Sequence, residues 1–152
     1  MKKIKFKLKE LPEIVKKYFI PTLESKKIFA FQGPLGAGKT TLIKEFLKQA
    51  GVKETITSPT FTYVKTYEML NGMLVHHFDL YRLDGEGSFI EMGFEEYLNQ
   101  EGSIAVIEWP EIVYNLLSEL SLSDKICYAF LNYCKDDLSV RLLEIKNEFC
   151  SS

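Results

Sequence analysis

The stretch GPLGAGKT at 33–40 constrains the fold more than any other part of the chain. It matches G-x-x-x-x-G-K-[ST], a pattern in which glycines let successive backbone N–H groups point at one anion. The apolar run KIFAFQ at 27–32 precedes it and predicts a buried strand. TTLIKEFLKQAG at 40–51 follows, with one apolar helical face and a terminal glycine. The sequence therefore predicts a strand, a phosphate-binding turn, and a helix whose N-terminus faces the phosphate.

This turn assigns a role to each of its residue types. Lys39 is expected to reach the β- and γ-phosphates of a nucleotide, and the Thr40 hydroxyl to bind Mg²⁺. The predicted nucleotide-binding residues are Gly33, Gly36, Ala37, Gly38, Lys39, Thr40 and Thr41. Pro34 lacks an N–H, but the backbone donors should come chiefly from Gly36 onward, so we expect nucleotide binding to survive it. The alternative, a plain glycine-rich turn, is disfavoured by the flanking strand and helix.

The remaining pattern predicts a single α/β domain over 1–152, a P-loop NTPase-like mixed sheet flanked by helices with at least one β-α-β crossover. KIKFKLK at 3–9 alternates as a strand with one solvated face does. Asn71-Gly72 predicts a hairpin turn between two strands. The other predicted segments are strands at 61–69, 73–83, 103–109, 125–133 and 138–146, helices at 10–20, 89–99 with a break at Gly93, and 111–120, and a loop at 84–88.

Composition excludes several classes of protein. The apolar runs are too short to span a bilayer, and the N-terminus MKKIKFKLKE lacks the apolar block of a signal peptide. A cytoplasmic protein without membrane contact is therefore expected. The three cysteines cannot all pair within the chain and form no C-x-x-C motif. Residues 1–76 carry 14 lysines and six acids, whereas 77–152 carry five cationic side chains and 15 acids. This split suggests an anion site first and metal-binding acids later, unless the two charges simply mix on the surface.

Two acids are candidates to hold Mg²⁺ beside the turn. Glu108 ends the apolar run AVIE at 105–108, and Asp79 lies near the end of the predicted strand HHFDLYR at 76–82. An acid at the end of a strand next to a P-loop is the usual metal partner. Asp79 has the alternative of facing solvent. Glu108 is favoured for the metal, with the other acid orienting the attacking water. Trp109 either packs in the core or forms a wall of the site.

Other motifs give weaker signals. His76 and His77 are adjacent and so point to opposite faces of a strand, which disfavours a shared zinc site. DGEG at 84–87 fits D-x-x-G, but the chain has no N-K-x-D sequence, so a turn is the better interpretation. TSPTFTY at 57–63 is either a rigid loop or a switch segment in which Thr60 or Thr62 senses Mg²⁺ or the γ-phosphate.

Four segments in this order, GPLGAGKTT, SPTFTYV, HHFDLYRL and IEWPE, resemble the TsaE (YjeE) family of small P-loop ATPases. The resemblance runs from the first strand to about residue 112, and beyond that it is only general. Pro34 departs from the family, which usually has an acid after the first glycine, and this puts any role of that acid in doubt.

The resemblance implies a bacterial Mg²⁺-dependent ATPase that supports threonylcarbamoyladenosine synthesis beside the tRNA anticodon. It implies two partner subunits, TsaB and TsaD, with tRNA reached only through the complex. Lys39 and Thr40 would bind phosphate and Mg²⁺, Asp79 and Glu108 would serve the metal or the attacking water, and Thr60 would belong to the switch. Direct contact with tRNA or DNA is not expected, since the net charge is −2 and no aromatic-interleaved basic stripe is present.

The chain contains only two arginines, Arg82 and Arg141. P-loop enzymes gain about 10³- to 10⁵-fold in rate from an arginine at the transferring phosphoryl group. If neither arginine reaches that position, the isolated protein should hydrolyse ATP weakly and its partners should activate it. Two alternatives stay open, a small-molecule or nucleoside kinase and a nucleotide-gated interaction module in which hydrolysis is incidental.

Overall fold

A computed structural model describes residues 1–59 and 61–146. Its strands are β1 Lys2–Lys7, β2 Ile28–Gln32, β3 Val64–Glu68, β4 Leu74–Asp79, β5 Ser103–Glu108, β6 Ile126–Tyr133 and β7 Val140–Lys146. Its α-helices are α1 Leu11–Tyr18, α2 Lys39–Gln49, α3 Glu86–Glu91, α4 Glu95–Asn99 and α5 Tyr114–Glu119. Short 3₁₀ turns lie at Leu8–Glu10, Ile20–Thr22, Pro110–Val113 and Ser123–Lys125.

The strands form one mixed seven-stranded sheet in the order β1-β7-β6-β2-β5-β4-β3. β2 lies between β5 and β6 and runs parallel to both, and β4 is parallel to β5. β1, β3 and β7 pair antiparallel with their neighbours. Because β4 and β5 are parallel neighbours, the chain must cross over between them, and α3 and α4 form that crossover. The predicted α/β fold, a mixed sheet flanked by helices with a β-α-β unit, is confirmed.

Helices cover both faces of the sheet and bury its central strands. Every residue of β5 is buried, as expected for a parallel strand packed on both sides. On one face, Phe29 and Phe31 pack against Phe19, which follows α1, and Phe46 of α2. On the other face, an apolar cluster joins Ile28 and Ala30 to buried side chains of the last three α-helices, Phe89, Leu98, Leu116 and Leu117. Alternation along β2 therefore divides its side chains between two cores.

The predicted strands β3 and β4 were longer than the observed ones. β3 begins at Val64 rather than 61, after Tyr63 with a positive φ of 63°, and β4 ends at Asp79 rather than 83, where the Tyr81 N–H turns back to the Asp79 carboxylate. The predicted loop at 84–88 was wrong at its end, since α3 already begins at Glu86. Phe89 is fully buried, and its packing holds this short helix despite Gly87. The predicted break at Gly93 is confirmed by its positive φ of 76° between α3 and α4.

The sequence features outside the sheet have simple places in the fold. Asn71 and Gly72 form the turn between β3 and β4, with Gly72 at φ 83°. Cys127 and Cys134 are buried free thiols, and burial raises the pKa of Cys127 to about 12. The third cysteine, Cys150, lies outside the described residues. Among residues 1–59 and 61–146, no helix has the length and apolar character needed to cross a membrane.

Candidate active site

The glycine-rich turn connects the end of β2 to the first residue of α2. Gly36 and Gly38 have φ values of 77° and 103°, and Gly38 is the N-cap of α2. Gly33 is required for a different reason, because a Cβ there would lie 2.1 Å from the backbone oxygen of Leu131 on β6. The turn therefore needs glycine twice for its backbone conformation and once for close approach to a neighbouring strand.

Lys39 is held inside the turn rather than extended into solvent. Its side chain is 5% exposed, and Nζ donates to the carbonyl oxygens of Gly33 and Pro34 over 2.6 and 3.1 Å. The ammonium also lies 4.2 Å from the centroid of the Trp109 ring. Burial lowers the pKa of Lys39, while the carboxylates of Glu108, Glu111 and Asp79 act in the opposite direction. The loop carbonyls and the indole face together compensate the buried ammonium.

Glu108 closes β5 with its carboxylate 2% exposed and both oxygens hydrogen-bonded. The Thr40 hydroxyl, in the first turn of α2, donates to Oε1 over 2.7 Å. His77 of β4 lies 2.9 Å from Oε2 through its Nε2 atom. A carboxylate without partners in this position would cost several kcal/mol. The acid at the end of the buried strand thus faces the P-loop helix on one side and a buried imidazole on the other.

Asp79 lies beside Glu108, since the two residues are paired in register on β4 and β5. Its carboxylate accepts hydrogen bonds from the Ser58 hydroxyl over 3.2 Å and from the Tyr81 backbone N–H over 3.1 Å. Ser58 belongs to the TSPTFTY segment, which is therefore tied to the site through Asp79. This environment differs from that of Glu108, which contacts the P-loop helix directly.

The TSPTFTY segment contains the two threonines considered as sensors of Mg²⁺ or the γ-phosphate. Thr60 lies outside the described residues. Thr62 is exposed, and its hydroxyl donates to the carbonyl oxygen of Val64 over 3.2 Å. That contact is a local turn contact and brings Thr62 no closer to the acids.

These groups surround one open cleft of about 410 Å³. The predicted site residues that line it are Gly36, Gly38, Lys39, Thr40, Thr41, Asp79 and Glu108, joined by Leu35, Ser58, Tyr81, Arg82 and Trp109. Of the predicted site residues that the structure describes, two do not line this cleft. Gly33 packs against Leu131, and Ala37 is 1% exposed with its carbonyl directed toward Arg141.

Trp109 forms a wall of the cleft and also packs against the edge of the second apolar cluster. Its ring is partly buried and lies 4.9 Å from the ring of Tyr81. Its backbone has φ 61° and ψ 50°, a left-handed conformation that is uncommon outside glycine. This conformation turns the chain sharply at the end of β5 and lays the indole over Lys39. Strain of this kind is typical of functional sites.

A second cleft of about 420 Å³ lies on the other side of the same turn. It shares Gly36, Gly38 and Thr41 with the first cleft. Its remaining walls are mostly apolar and include Phe6, Leu8, Leu11, Ala37, Leu42, Leu131 and Leu138. Sequence inspection missed this cleft because its walls come from the N-terminal segment and the C-terminal hairpin, which carry no motif.

The C-terminal hairpin braces the turn from behind. Arg141 Nε donates to the carbonyl oxygen of Ala37 over 3.0 Å, and its guanidinium lies 4.6 Å from the centroid of the Tyr133 ring. The Tyr133 hydroxyl donates to the carbonyl oxygen of Leu35 over 3.3 Å. A Cβ on Gly36 would lie 2.8 Å from that hydroxyl. Two side chains from β6 and β7 thus fix the outer surface of the glycine-rich turn.

The oxygen atoms of the first cleft fit Mg²⁺. Thr40 supplies a hydroxyl, and Glu108 and Asp79 supply carboxylates at adjacent strand ends. Within the described ranges no group of three or more His, Cys, Asp or Glu side chains forms a metal cage. Mg²⁺ usually binds through one or two protein oxygens together with waters and substrate phosphates. The donor set here is of that kind.

The amino-acid sequence of the chain is similar to those of proteins from one family. The family model described as threonylcarbamoyl adenosine biosynthesis protein TsaE matches residues 7–134. A Rickettsia bellii protein named tRNA threonylcarbamoyladenosine biosynthesis protein TsaE is 39% identical over 134 residues, which cover 88% of this chain and 86% of that protein. The protein of the same name from Rickettsia felis is 41% identical over 103 residues, which cover 67% of this chain and 58% of that protein.

A solved structure supports the same architecture. The crystal structure of Bacillus subtilis YdiB matches with a TM-score of 0.61 and 23% identity, covering 93% of this chain and 83% of that one. The likeness shows a shared fold. Because the family model and the Rickettsia bellii relative both cover most of the sequence, the chain belongs to the TsaE family.

Proposed function

We propose that this protein is a Mg²⁺-dependent ATPase that supports threonylcarbamoyladenosine modification of tRNA together with TsaB and TsaD subunits. The observation that carries the proposal is the 2.7 Å contact between the Thr40 hydroxyl and Glu108. It joins the first turn of the P-loop helix to an acid at the end of a neighbouring strand, inside a cleft that Lys39 also lines. The pathway is inferred from the names of the relatives.

The chain's own residues would divide the work by position. Backbone N–H groups after Gly36 and the N-terminus of α2 would hold the phosphates, and Lys39 would exchange its loop carbonyls for a phosphate oxygen. Thr40 and Glu108 would hold Mg²⁺, which supplies neutralisation of negative charge on the β- and γ-phosphates. Asp79, which contacts Ser58 instead of Thr40, would orient the attacking water. Thr60, of the same segment as Ser58, would belong to the switch.

The second cleft is suited to the base of the nucleotide. Its walls are largely apolar and it meets the first cleft at Gly36 and Thr41, so phosphates in one cleft can connect to a base in the other. Leu138 lines this cleft, so Leu138→Asp should weaken nucleotide binding by placing a charge in its apolar wall. Because Leu138 is 71% exposed, the melting temperature should not fall. An unchanged Kd would remove the base from this cleft and leave the phosphate site intact.

The two arginines favour slow hydrolysis by the isolated protein. Arg141 already bonds to Ala37 on the outer side of the turn. Arg82 lines the cleft, but its guanidinium lies 5.2 Å from the centroid of the exposed Phe61 ring. Both arginines are thus engaged by contacts within the protein, so we expect a partner to reposition Arg82 or to supply an arginine of its own.

The deciding experiment measures phosphate release from ATP with Mg²⁺ and with EDTA, first with the protein alone and then with TsaB and TsaD added. We expect slow release alone and a marked increase with both partners. Lys39→Ala is the inactive control. A phosphorylated small molecule in place of free phosphate would favour a kinase, and fast turnover unaffected by partners would contradict activation.

A second measurement separates hydrolysis from nucleotide gating. Glu108→Gln should bind ATP but release little phosphate, and it should fail to support modification of tRNA in the reconstituted system. If this variant still supports modification, hydrolysis is incidental and the protein is a nucleotide-gated interaction module.

A further inference from the structure

The imidazole of His77 is buried against the site without contacting the cleft. It is fully buried, with 0% exposure, and Nε2 lies 2.9 Å from Glu108 Oε2. His77 does not line the cleft that contains Thr40 and Glu108. The sequence pattern assigned His77 no role, because its neighbour His76 faces the other side of β4 and adjacent strand residues do not share a metal ion.

The His77 ring contacts Glu108 through one nitrogen, Nε2. An ionised carboxylate only accepts hydrogen bonds, so Nε2–H is the donor in this contact. The other ring nitrogen, Nδ1, is buried and has no hydrogen-bond partner among the described residues. The ring therefore has one directed interaction, and Glu108 receives it.

This contact restricts the rotation of the Glu108 carboxylate. Oε2 is fixed on the buried side by His77, while Oε1 meets the Thr40 hydroxyl at the cleft. Without His77, only the Thr40 contact would hold the carboxylate, and its plane could turn so that its oxygen no longer points squarely into the cleft. Residues that orient a metal-binding side chain in this way affect metal affinity without touching the metal.

We propose that His77 is a positioning residue that fixes Glu108 Oε2, so that Oε1 and the Thr40 hydroxyl face Mg²⁺ bound with the nucleotide. The inference rests on the proposed function, because it concerns the same metal site. It adds a residue that acts only through Glu108. Its signature is a change in the Mg²⁺ dependence of nucleotide binding, with the metal-free affinity preserved.

Two substitutions at position 77 distinguish positioning from simple packing. The amide of Gln extends to about the position of Nε2, so His77→Gln can still donate to Glu108. The shorter amide of Asn cannot reach that far, so His77→Asn loses the contact while remaining polar and of similar burial. His76→Asn is the matched control, because His76 is 2% exposed and bonds to Thr66 and Gln100 on the opposite face.

The experiment is titration calorimetry of ATP binding by the full chain, with Mg²⁺ and with EDTA, using a non-hydrolysable ATP analogue where turnover interferes. We expect His77→Asn to lose about 10-fold or more of the Mg²⁺-dependent gain in affinity. Binding in EDTA should stay unchanged. His77→Gln should restore most of the gain, and His76→Asn should retain all of it. Thermal melts accompany each variant, and the Gln and Asn pair is compared at temperatures where both are folded.

Three results would overturn the inference. The first is an unchanged Mg²⁺-dependent gain in His77→Asn, and the second is an equal loss in His76→Asn. The third is failure of His77→Gln to bind Mg²⁺-nucleotide better than His77→Asn while remaining folded. If the unaltered protein binds no nucleotide in either condition, the proposed function fails together with this inference. If the unaltered protein binds Mg²⁺-nucleotide and the variants give one of the three results above, only this inference fails.

Discussion

The Thr40 hydroxyl and the Glu108 carboxylate lie 2.7 Å apart although 68 positions separate them in the chain. The contact joins the start of α2 to the end of β5 and fixes the position of both side chains in the cleft. Thr40→Val keeps the shape of the side chain and removes its hydroxyl. We expect Thr40→Val and Glu108→Gln each to lower phosphate release from ATP by about 100-fold or more, since in the proposed mechanism each would weaken the hold on Mg²⁺ and so on the phosphate charge that the metal neutralises.

Thr41, the next residue of the helix, provides the control for Thr40. Thr41 lines the cleft but has no contact with Glu108 among the described residues. Thr41→Val should therefore reduce the rate far less than Thr40→Val. Equal losses at both positions would show that the hydroxyl of Thr40 has no special role.

Trp109 is expected to matter more for activity than for stability. Trp109→Ala removes the ring 4.2 Å from Lys39 Nζ, and a partly desolvated cation–π contact contributes roughly 1–2 kcal/mol. Because the ring lines the cleft and lies over Lys39, nucleotide affinity should fall by about 5- to 30-fold, with the free energy of unfolding lowered by only about 1–2 kcal/mol. Trp109→Phe should keep part of the affinity. Parallel calorimetry and thermal melts measure both effects, and a large loss of stability with unchanged affinity would assign the ring to packing.

Arg141 is predicted to support the phosphate-binding turn from outside the first cleft. Arg141→Met removes the hydrogen bond to the carbonyl oxygen of Ala37, so ATP binding should weaken about 3- to 10-fold, as expected for loss of a charged hydrogen bond of roughly 1 kcal/mol or more. Lys146→Met is the control on the same strand, since its ammonium lies over Phe130 instead. A matching loss in the control would mean that the whole hairpin, and not the bond to the turn, is responsible.

Gly33 and Gly87 should respond oppositely to alanine. At Gly33 the new Cβ would lie 2.1 Å from the backbone oxygen of Leu131, and such overpacking costs roughly 1–3 kcal/mol or more. At Gly87, in α3, nothing lies within 4 Å of the new Cβ, and alanine should stabilise by about 0.5–1 kcal/mol. Denaturant unfolding measures both variants. A stable Gly33→Ala protein would show that the turn can move away from β6.

His76 should make the free energy of unfolding depend on pH in the mildly acidic range. Burial lowers the pKa of His76 below its ordinary value of 6.5, Lys27 lowers it further, and the bond to Gln100 opposes the shift. Between the folded pKa and 6.5 the unfolded chain binds more protons, so the free energy of unfolding falls as pH falls through that window. His76→Asn should flatten this part of the curve of melting temperature against pH. Identical slopes for both proteins would contradict the assignment.

Local sequence patterns determined much of the architecture. The alternation in β1, the apolar runs of β2 and β5, and the stripe of α2 each fix a period and a buried face, so these elements were placed within a few residues. The Asn71-Gly72 turn and the break at Gly93 depend on glycine backbone conformations that neighbouring residues do not alter. The GPLGAGKT motif likewise predicted the strand before it and the helix after it, because its glycines require particular local backbone conformations.

Tertiary structure alone decided how the site is assembled. The chain order does not show that β4 and β5 are parallel neighbours, and that pairing brings Asp79 beside Glu108 and His77 beneath it. The second cleft and the brace from Arg141 arise because the N-terminal strand and the C-terminal hairpin pack around the turn. Sequence determined the parts whose physics is local, namely periodicity, turns and the P-loop. Packing of distant segments decided the contacts of Glu108, Lys39 and Trp109, because those contacts depend on sheet order and burial.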